Sequence, residues 1–273
     1  MTDWLESTGE VIAQIGTPGF HPALAAALQN IAPYDYTVVF GYLGAARPLD
    51  LFDTFPAGKR KIFVEDYQEG PYLLDPFYLA TASAAPPGLH RMRDLAPDRF
   101  YQGEYFRNYY VQTGLAEEIG FLADLPDGAR LAISLMRASK AFGAREFRLL
   151  QQYWPILRAA VQQHWHDLAA RFAEGGNSGA SGLQHSVESA FLQFGEGVLT
   201  AREREVVEYT LKGHSADAVG RILGISPGTV RIHRRNIYAK LRIGSQGELF
   251  SLFIDTLAGD GKKPLPRPAR GQG

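Results

Sequence analysis

A chain of 273 residues is long enough for two modest domains, and its 45% apolar and 12% aromatic content builds a real core, which excludes wholesale disorder. With no cysteine, a disulfide framework, a thiol nucleophile and a cysteine-based zinc site are excluded, and a reducing compartment fits. The net charge of −1 hides an asymmetry: Leu199 to Ile254 carries nine Lys/Arg against five Asp/Glu, which is +4 and leaves −5 for the rest, so a polyanion partner is expected for the C-terminal part alone.

In chain order, the first sixteen residues carry acids in place of a basic leader. No run approaches the ~18 apolar residues of a membrane span, so a soluble, cytoplasmic protein with no membrane partner is expected. "HPALAAALQNI" (21–31) reads as a helix. "TVVFGYL" (37–43) and "PLDLFDTF" (48–55) are β-branched and aromatic on either side of "GAAR", a hairpin pattern. "KRKIFVEDYQEG" (59–70) reads as a helix. "FYQGEYFRNYY" (100–110) spaces Tyr101, Tyr105 and Tyr109 at i, i+4 and i+8, with Phe106 and Tyr110 beside them, which predicts one helix face. "EEIGFLADLP" and "ARLAISLMRA" form two more strands joined at Pro126-Asp127-Gly128. A long amphipathic helix follows from about Ala144 to Phe172. Residues 1–172 are thus expected to form an α+β sensor-like domain, an antiparallel sheet flanked by helices.

Residues 173–182, "AEGGNSGASG", hold no bulky apolar side chain and read as a flexible linker. Residues 183–257 read as an all-α module of four helices. The Pro/Gly-rich, basic residues 258–273 are expected to be disordered.

Within that module, "TARE" (200–203) is a capping box, with Thr200 and Glu203 each serving the other's backbone amide. Val206, Val207, Thr210 and Leu211 form an inward stripe, and Gly213 ends the helix. Ser215 caps a second helix with Val219, Ile222 and Leu223 facing in, and Gly220 allows close approach. "LGIS" makes the turn. Ser226 caps a third helix with Pro227 in its first position. On that helix Val230, Ile237 and Leu241 share one side, while Gly228, Arg231, Ile232 and Arg235 lie roughly opposite. Arg231 and Arg235 repel each other by a few tenths of a kcal/mol. Guanidinium groups suit phosphate and guanine in a major groove, and Ile232 suits a thymine methyl. Thr229, Arg234 and Lys240 lie at the flanks, within reach of phosphates. With Ser226 and His233 these residues make up the candidate DNA-contacting set. Two open alternatives are a merely solvated charged face for the helix and an ordinary surface isoleucine for Ile232.

"LTAREREVVEYTLKGHSADAVGRILGISPGTVRIHRRNIYAKLRI" resembles the C-terminal DNA-binding domain of LuxR-type transcription regulators. The likeness rests on Leu199-Thr200, Arg202-Glu203, Glu205-Val206, Gly213, Ser215, Ile225-Ser226, Thr229-Val230, His233, Asn236-Ile237 and Lys240-Leu241. The resemblance implies base contacts by Arg231 and Arg235, a helix-turn-helix, and a fourth helix that dimerises, for which "GELFSLFIDTL" (247–257) fits. Ala218 stands in place of the usual acidic residue, Gly220 in place of alanine, and Gln246 where arginine is common.

The segment preceding the linker lacks the acidic pair, phosphorylatable aspartate and lysine of a phospho-receiver, and has no phosphate loop. "FVEDYQEGPYLLDPFY" is similar to the ligand-pocket stretch of acyl-homoserine-lactone receptors in the placing of Phe63, Tyr67, Tyr72 and Asp75-Pro76. Phe63 replaces a tryptophan, and the spacing to the aspartate is one residue shorter. The resemblance implies a related or GAF-like sensor fold with a changed ligand. Phe63, Tyr67, Tyr72, Tyr101, Tyr105 and Phe106 are candidate pocket walls and Asp75 a candidate acceptor, with ordinary core packing as the alternative for each. His164 and His166 stand at i, i+2, which points their rings apart on a helix; no metal and no cofactor is expected. No nucleophile–base–acid set appears, so no enzyme is expected. The combined expectation is a ligand-responsive regulator that binds a roughly palindromic operator as a homodimer, with a small-molecule effector, double-stranded DNA and RNA polymerase as partners. The alternative is a ligand-independent regulator whose N-terminal part dimerises or docks a protein.

Overall fold

The computed structural model describes residues 2–44, 46–83, 85–108, 110–175 and 187–257. They gather into two units that do not follow chain order. Of the described residues, those within 2–64, 77–95 and 114–175 form the first; those within 65–76, 96–113 and 187–257 form the second.

The first unit is built on five strands: β1 (Tyr36–Leu43), β2 (Leu49–Asp53), β3 (Gly88–Arg91), β4 (Glu117–Asp124) and β5 (Ala129–Arg137). They are antiparallel throughout, in the order β2-β1-β5-β4-β3. Both expected hairpins form. β3 is a fourth pairing that the sequence pattern did not announce, because its four residues include His90 and Arg91. Alternate residues of a strand face opposite sides, so Val39, Ile119, Phe121, Leu131, Ile133 and Leu135 point to one face. There they bury against α1 (Thr2–Ala13), α2 (Phe20–Ile31), α7 (Ala144–His164) and α8 (Leu168–Gly175), through Val11, Leu24, Leu28, Leu150, Trp154 and Leu168. The expected single helix from 144 to 172 is two helices, parted at Trp165–Asp167. The first residues of the expected linker, 173–175, belong to α8, and residues 176–186 and the tail 258–273 lie outside the described residues.

The opposite face carries Val38, Phe40, Tyr42, Leu122, Ala132 and Met136, all buried. α4 (Pro76–Ala82) lies on it, with Phe77 so close to Gly120 that a Cβ there would come within 2.5 Å of the ring. Short turns α3 (Ala57–Arg60) and α5 (Met92–Leu95) complete the unit. Arg137, 4% exposed, is spent inside it. It donates to Pro33 O at 2.6 Å and to both Glu146 carboxylate oxygens at 2.7 and 3.0 Å.

The second unit holds α6 (Glu104–Asn108), α9 (Val187–Gln193), α10 (Ala201–Leu211), α11 (Ala216–Leu223), α12 (Pro227–Leu241) and α13 (Gln246–Leu257). Its core includes Phe191, Phe194, Val206, Val207, Val219, Val230, Ile237, Leu249 and Phe253, with Phe191 and Phe253 stacked at 4.6 Å. The expected tyrosine face is not one helix. A 3-10 turn at Phe100–Gln102, a break at Gly103 and α6 divide it, and Tyr109 lies outside the described residues. No helix among the described residues is long and apolar enough to cross a membrane.

Candidate nucleic-acid interface

The helical punctuation of 200–242 follows the sequence closely. Thr200 Oγ1 accepts from Glu203 N at 3.3 Å, and Thr200 N donates to Glu203 Oε2 at 2.8 Å, so both halves of the capping box form. Ser215 Oγ accepts from Ala218 N, and Ser226 Oγ from Thr229 N, each at 3.0 Å. A Cβ on Gly220 would stand 2.7 Å from Ile225 O. The departure from alanine at this position therefore has a local cause, since the following turn passes too near for a side chain. Ile222 is the exception in α11: it was expected to face in, yet it is 48% exposed, while Val219 is fully buried.

On α12, Val230, Ile237 and Leu241 are buried against the other helices. Arg231, Ile232 and Arg235 are exposed on the other side, and among the described residues neither arginine is held in a hydrogen bond or ion pair. Gly228 is exposed beside them. Thr229 is half-buried, its hydroxyl 2.8 Å from that of Ser226, and His233 is half-buried as well.

Two of the expected phosphate contacts are engaged within the protein. Arg234 turns inward and donates to Thr210 Oγ1 and to His214 O, both at 3.1 Å. Burial lowers its pKa from the ordinary guanidinium value. Residue 234 stands four after Val230 and three before Ile237, so the same helical wheel that places the apolar stripe places Arg234 within it. Lys240 Nζ donates to Glu203 Oε2 at 2.6 Å and ties the end of α12 to the start of α10. Burial opposes the charge on Glu203, but the Lys240 ammonium and the Thr200 amide and hydroxyl outweigh it and hold the carboxyl below its usual range.

The candidate effector residues fall into separate sets. Phe63 is buried in the first unit, stacked on Phe55 at 4.4 Å. Tyr67, Tyr72 and Asp75 are buried in the second. There the Tyr67 hydroxyl donates to Asp75 Oδ2 at 2.6 Å, with the two tyrosine rings 6.1 Å apart. Tyr105 and Phe106 pack around Phe100, at 5.7 and 5.9 Å. Tyr101, 47% exposed, lies edge-on to the same ring. Phe100, 2% exposed, is thus the centre of this cluster, a role the tyrosine spacing did not reveal. His164 and His166 do not converge: His164 Nδ1 accepts from Gly16 N at 3.0 Å, and His166 bonds Gln163 O. Among the described residues no three His, Cys, Asp or Glu come together for a metal.

A capped tri-helical unit whose third helix offers an open arginine face defines a DNA-binding helix-turn-helix protein. Residues 197–253 match the model of the luxR family of bacterial regulatory proteins. An HTH-type transcriptional regulator encoded in the exeN 3' region of Aeromonas salmonicida is 33% identical over 186 residues, which cover 67% of this chain and 94% of that protein. The transcriptional activator protein SolR of Ralstonia nicotianae is 29% identical over 199 residues, 70% of each chain. Among solved structures, the VqsR LBD domain of Pseudomonas aeruginosa superposes with a TM-score of 0.54 at 26% identity, over 61% of this chain and 97% of that one. The chain belongs to the LuxR family: it is a DNA-binding transcription regulator, and its relatives are regulators, not enzymes.

Proposed function

We propose that this regulator binds a roughly palindromic operator as a homodimer, with Arg231 and Arg235 reading base edges, and that a small organic effector tunes the binding. The observation that carries the reading is the division of α12 into a buried apolar face and an open face of Arg231, Ile232 and Arg235. Thr229, Ser226 and His233 flank that face near its N-terminal half, where phosphate contacts set orientation. Two-fold symmetry calls for half-sites about one helical turn apart. A contact with RNA polymerase would carry the signal onward. The effector enters through the likeness of 61% of this chain to the VqsR LBD domain and through the buried polar–aromatic group of Tyr67, Tyr72 and Asp75.

A second reading, a regulator without an effector, is favoured by one contact: Asp75, the candidate acceptor, is already engaged by Tyr67. Native mass spectrometry and thermal unfolding against a metabolite library separate the two. A ligand that binds only the folded state raises the unfolding temperature. No bound mass and no stabiliser would leave the second reading standing. Footprinting a selected operator tests the dimer, since a single protected half-site would overturn it.

A further inference from the structure

The two leading helices of the helix-turn-helix are capped differently. In α10 the N-cap threonine and the glutamate three residues on satisfy each other. In α11 the first half is present, Ser215 Oγ accepting from Ala218 N, but the third position is alanine. No side chain there can return to the Ser215 amide, which would otherwise be one of the orphan donors of a helix start. The chain supplies the acceptor from elsewhere: Asp98 Oδ1 takes the Ser215 N–H at 3.0 Å, across 117 residues of sequence.

The neighbouring backbone is tied in the same way. Arg99 N donates to Gly213 O at 3.0 Å. Gly213 has φ 96°, and a Cβ on it would stand 3.0 Å from Phe100 Cα, so the turn between α10 and α11 is moulded on residue 100. Phe100 in turn sits within the Tyr105–Phe106–Tyr110 cluster. Burial works against the charge on Asp98; bonds from the Ser215 side chain and backbone, and then the His214 imidazole, outweigh it and hold the carboxyl below its usual range. All of these residues belong to the second unit.

We infer that Asp98 is the absent third-position carboxylate of α11, completing a capping box across the chain and so acting as a positioning residue for the DNA-binding helices. An anion at a helix start also meets the positive end of the helix dipole. The open face of α12 is untouched by this contact, and Asp98 acts on DNA binding only through the placement of α11 and of the turn that launches α12.

The test uses the full-length protein, with amide hydrogen exchange at residues 213–219 and DNA affinity as readouts. Loss of a cap shifts a local opening equilibrium by roughly fivefold. Asp98→Ala is therefore expected to speed exchange at Ser215 and the first turn of α11 about fivefold and to weaken DNA binding several-fold. Asp98→Asn keeps an acceptor oxygen and should retain most of both. The decisive arm is the double variant Asp98→Ala/Ala218→Glu, in which a glutamate can serve Ser215 as Glu203 serves Thr200. It should restore exchange protection and affinity together. Unchanged exchange in Asp98→Ala, or no recovery in the double variant, overturns the assignment. Should Asp98→Ala fail to fold, folding of the double variant is the expected rescue, and failure of both counts against it.

Discussion

Arginine does opposite work in the two units. In the first, Arg137 is enclosed: it lies over the Phe142 ring at 4.0 Å, with Glu146, Pro33 and Ala141 accepting its hydrogen bonds. It holds the Glu146 carboxyl down at about 2, chiefly through the side-chain hydrogen bond. In the second, Arg231 and Arg235 face outward with nothing in the described residues to accept a hydrogen bond from them. The residue type is the same, and the surroundings decide whether a guanidinium holds a fold or waits for a partner. Arg234, between the two open arginines in sequence, sides with Arg137. A basic helix is therefore read as a binding face only after each cation's own partners are counted.

Breaking the enclosed member should have the largest effect. Arg137→Ala takes the guanidinium from two carbonyls and from Glu146, which keeps only the Gly143 amide, and its cost is expected on the order of 4 kcal/mol of unfolding free energy, measured by denaturant titration, with DNA affinity per folded molecule unchanged. A loss below about 1 kcal/mol would show that the enclosed arginine is not structural.

His21 sharpens the same contrast from the unpartnered side. Its ring is buried between Phe52, Phe20 and Trp165, its Nε2 has no hydrogen-bond partner among the described residues, and a void about the size of one water adjoins it. Burial first, then the neighbouring His164 and Arg171, push its pKa down to about 4. A folded-state value below the unfolded 6.5 means that the unfolded chain binds the extra proton. Stability is thus full above pH 6.5 and falls as pH drops toward 4, by on the order of 3 kcal/mol. Replacement by phenylalanine should flatten that slope in pH-dependent thermal unfolding; an unchanged slope would assign it to other groups.

For the open arginines, Arg235→Ala should cost ~1–3 kcal/mol on the cognate site and relax base preference at one position. Fluorescence anisotropy with cognate and random duplexes decides, since equal losses on both would reduce Arg235 to a phosphate contact. The smallest effect belongs to Lys240→Ala. Its ion pair with Glu203 is partly exposed, so the expected change is under ~1 kcal/mol in stability, with the salt dependence of DNA binding unmoved. A flattened salt slope would return Lys240 to the phosphate contacts.

What the sequence made legible follows from how local each cause is. The hairpins 36–53 and 117–137, the three helix caps and the buried stripe of α12 rest on spacings of two to four residues, and they stand in the structure as read. β3 was missed because four residues are too few for alternation to register, and its pairing with β4 crosses more than twenty residues. The break after His164 escaped because the apolar period continues through Trp165 and Leu168, both buried, although the helix does not. At the site, the outward Arg231 and Arg235 were legible from the wheel. The inward turn of Arg234 is carried by its place beside Val230 and Ile237, while its charge points the other way. Nothing local marks Asp98, whose partner lies 117 residues downstream.

That last contact has a practical side for anyone building chimaeras. A C-terminal module cut at the glycine-rich stretch and joined to a foreign sensor would leave behind the carboxylate that its second helix relies on. A hybrid would keep its full affinity by bringing the Pro97–Phe100 strip along or by writing a glutamate at position 218, so portability in this protein depends on two distant codons as well as on a contiguous piece of chain.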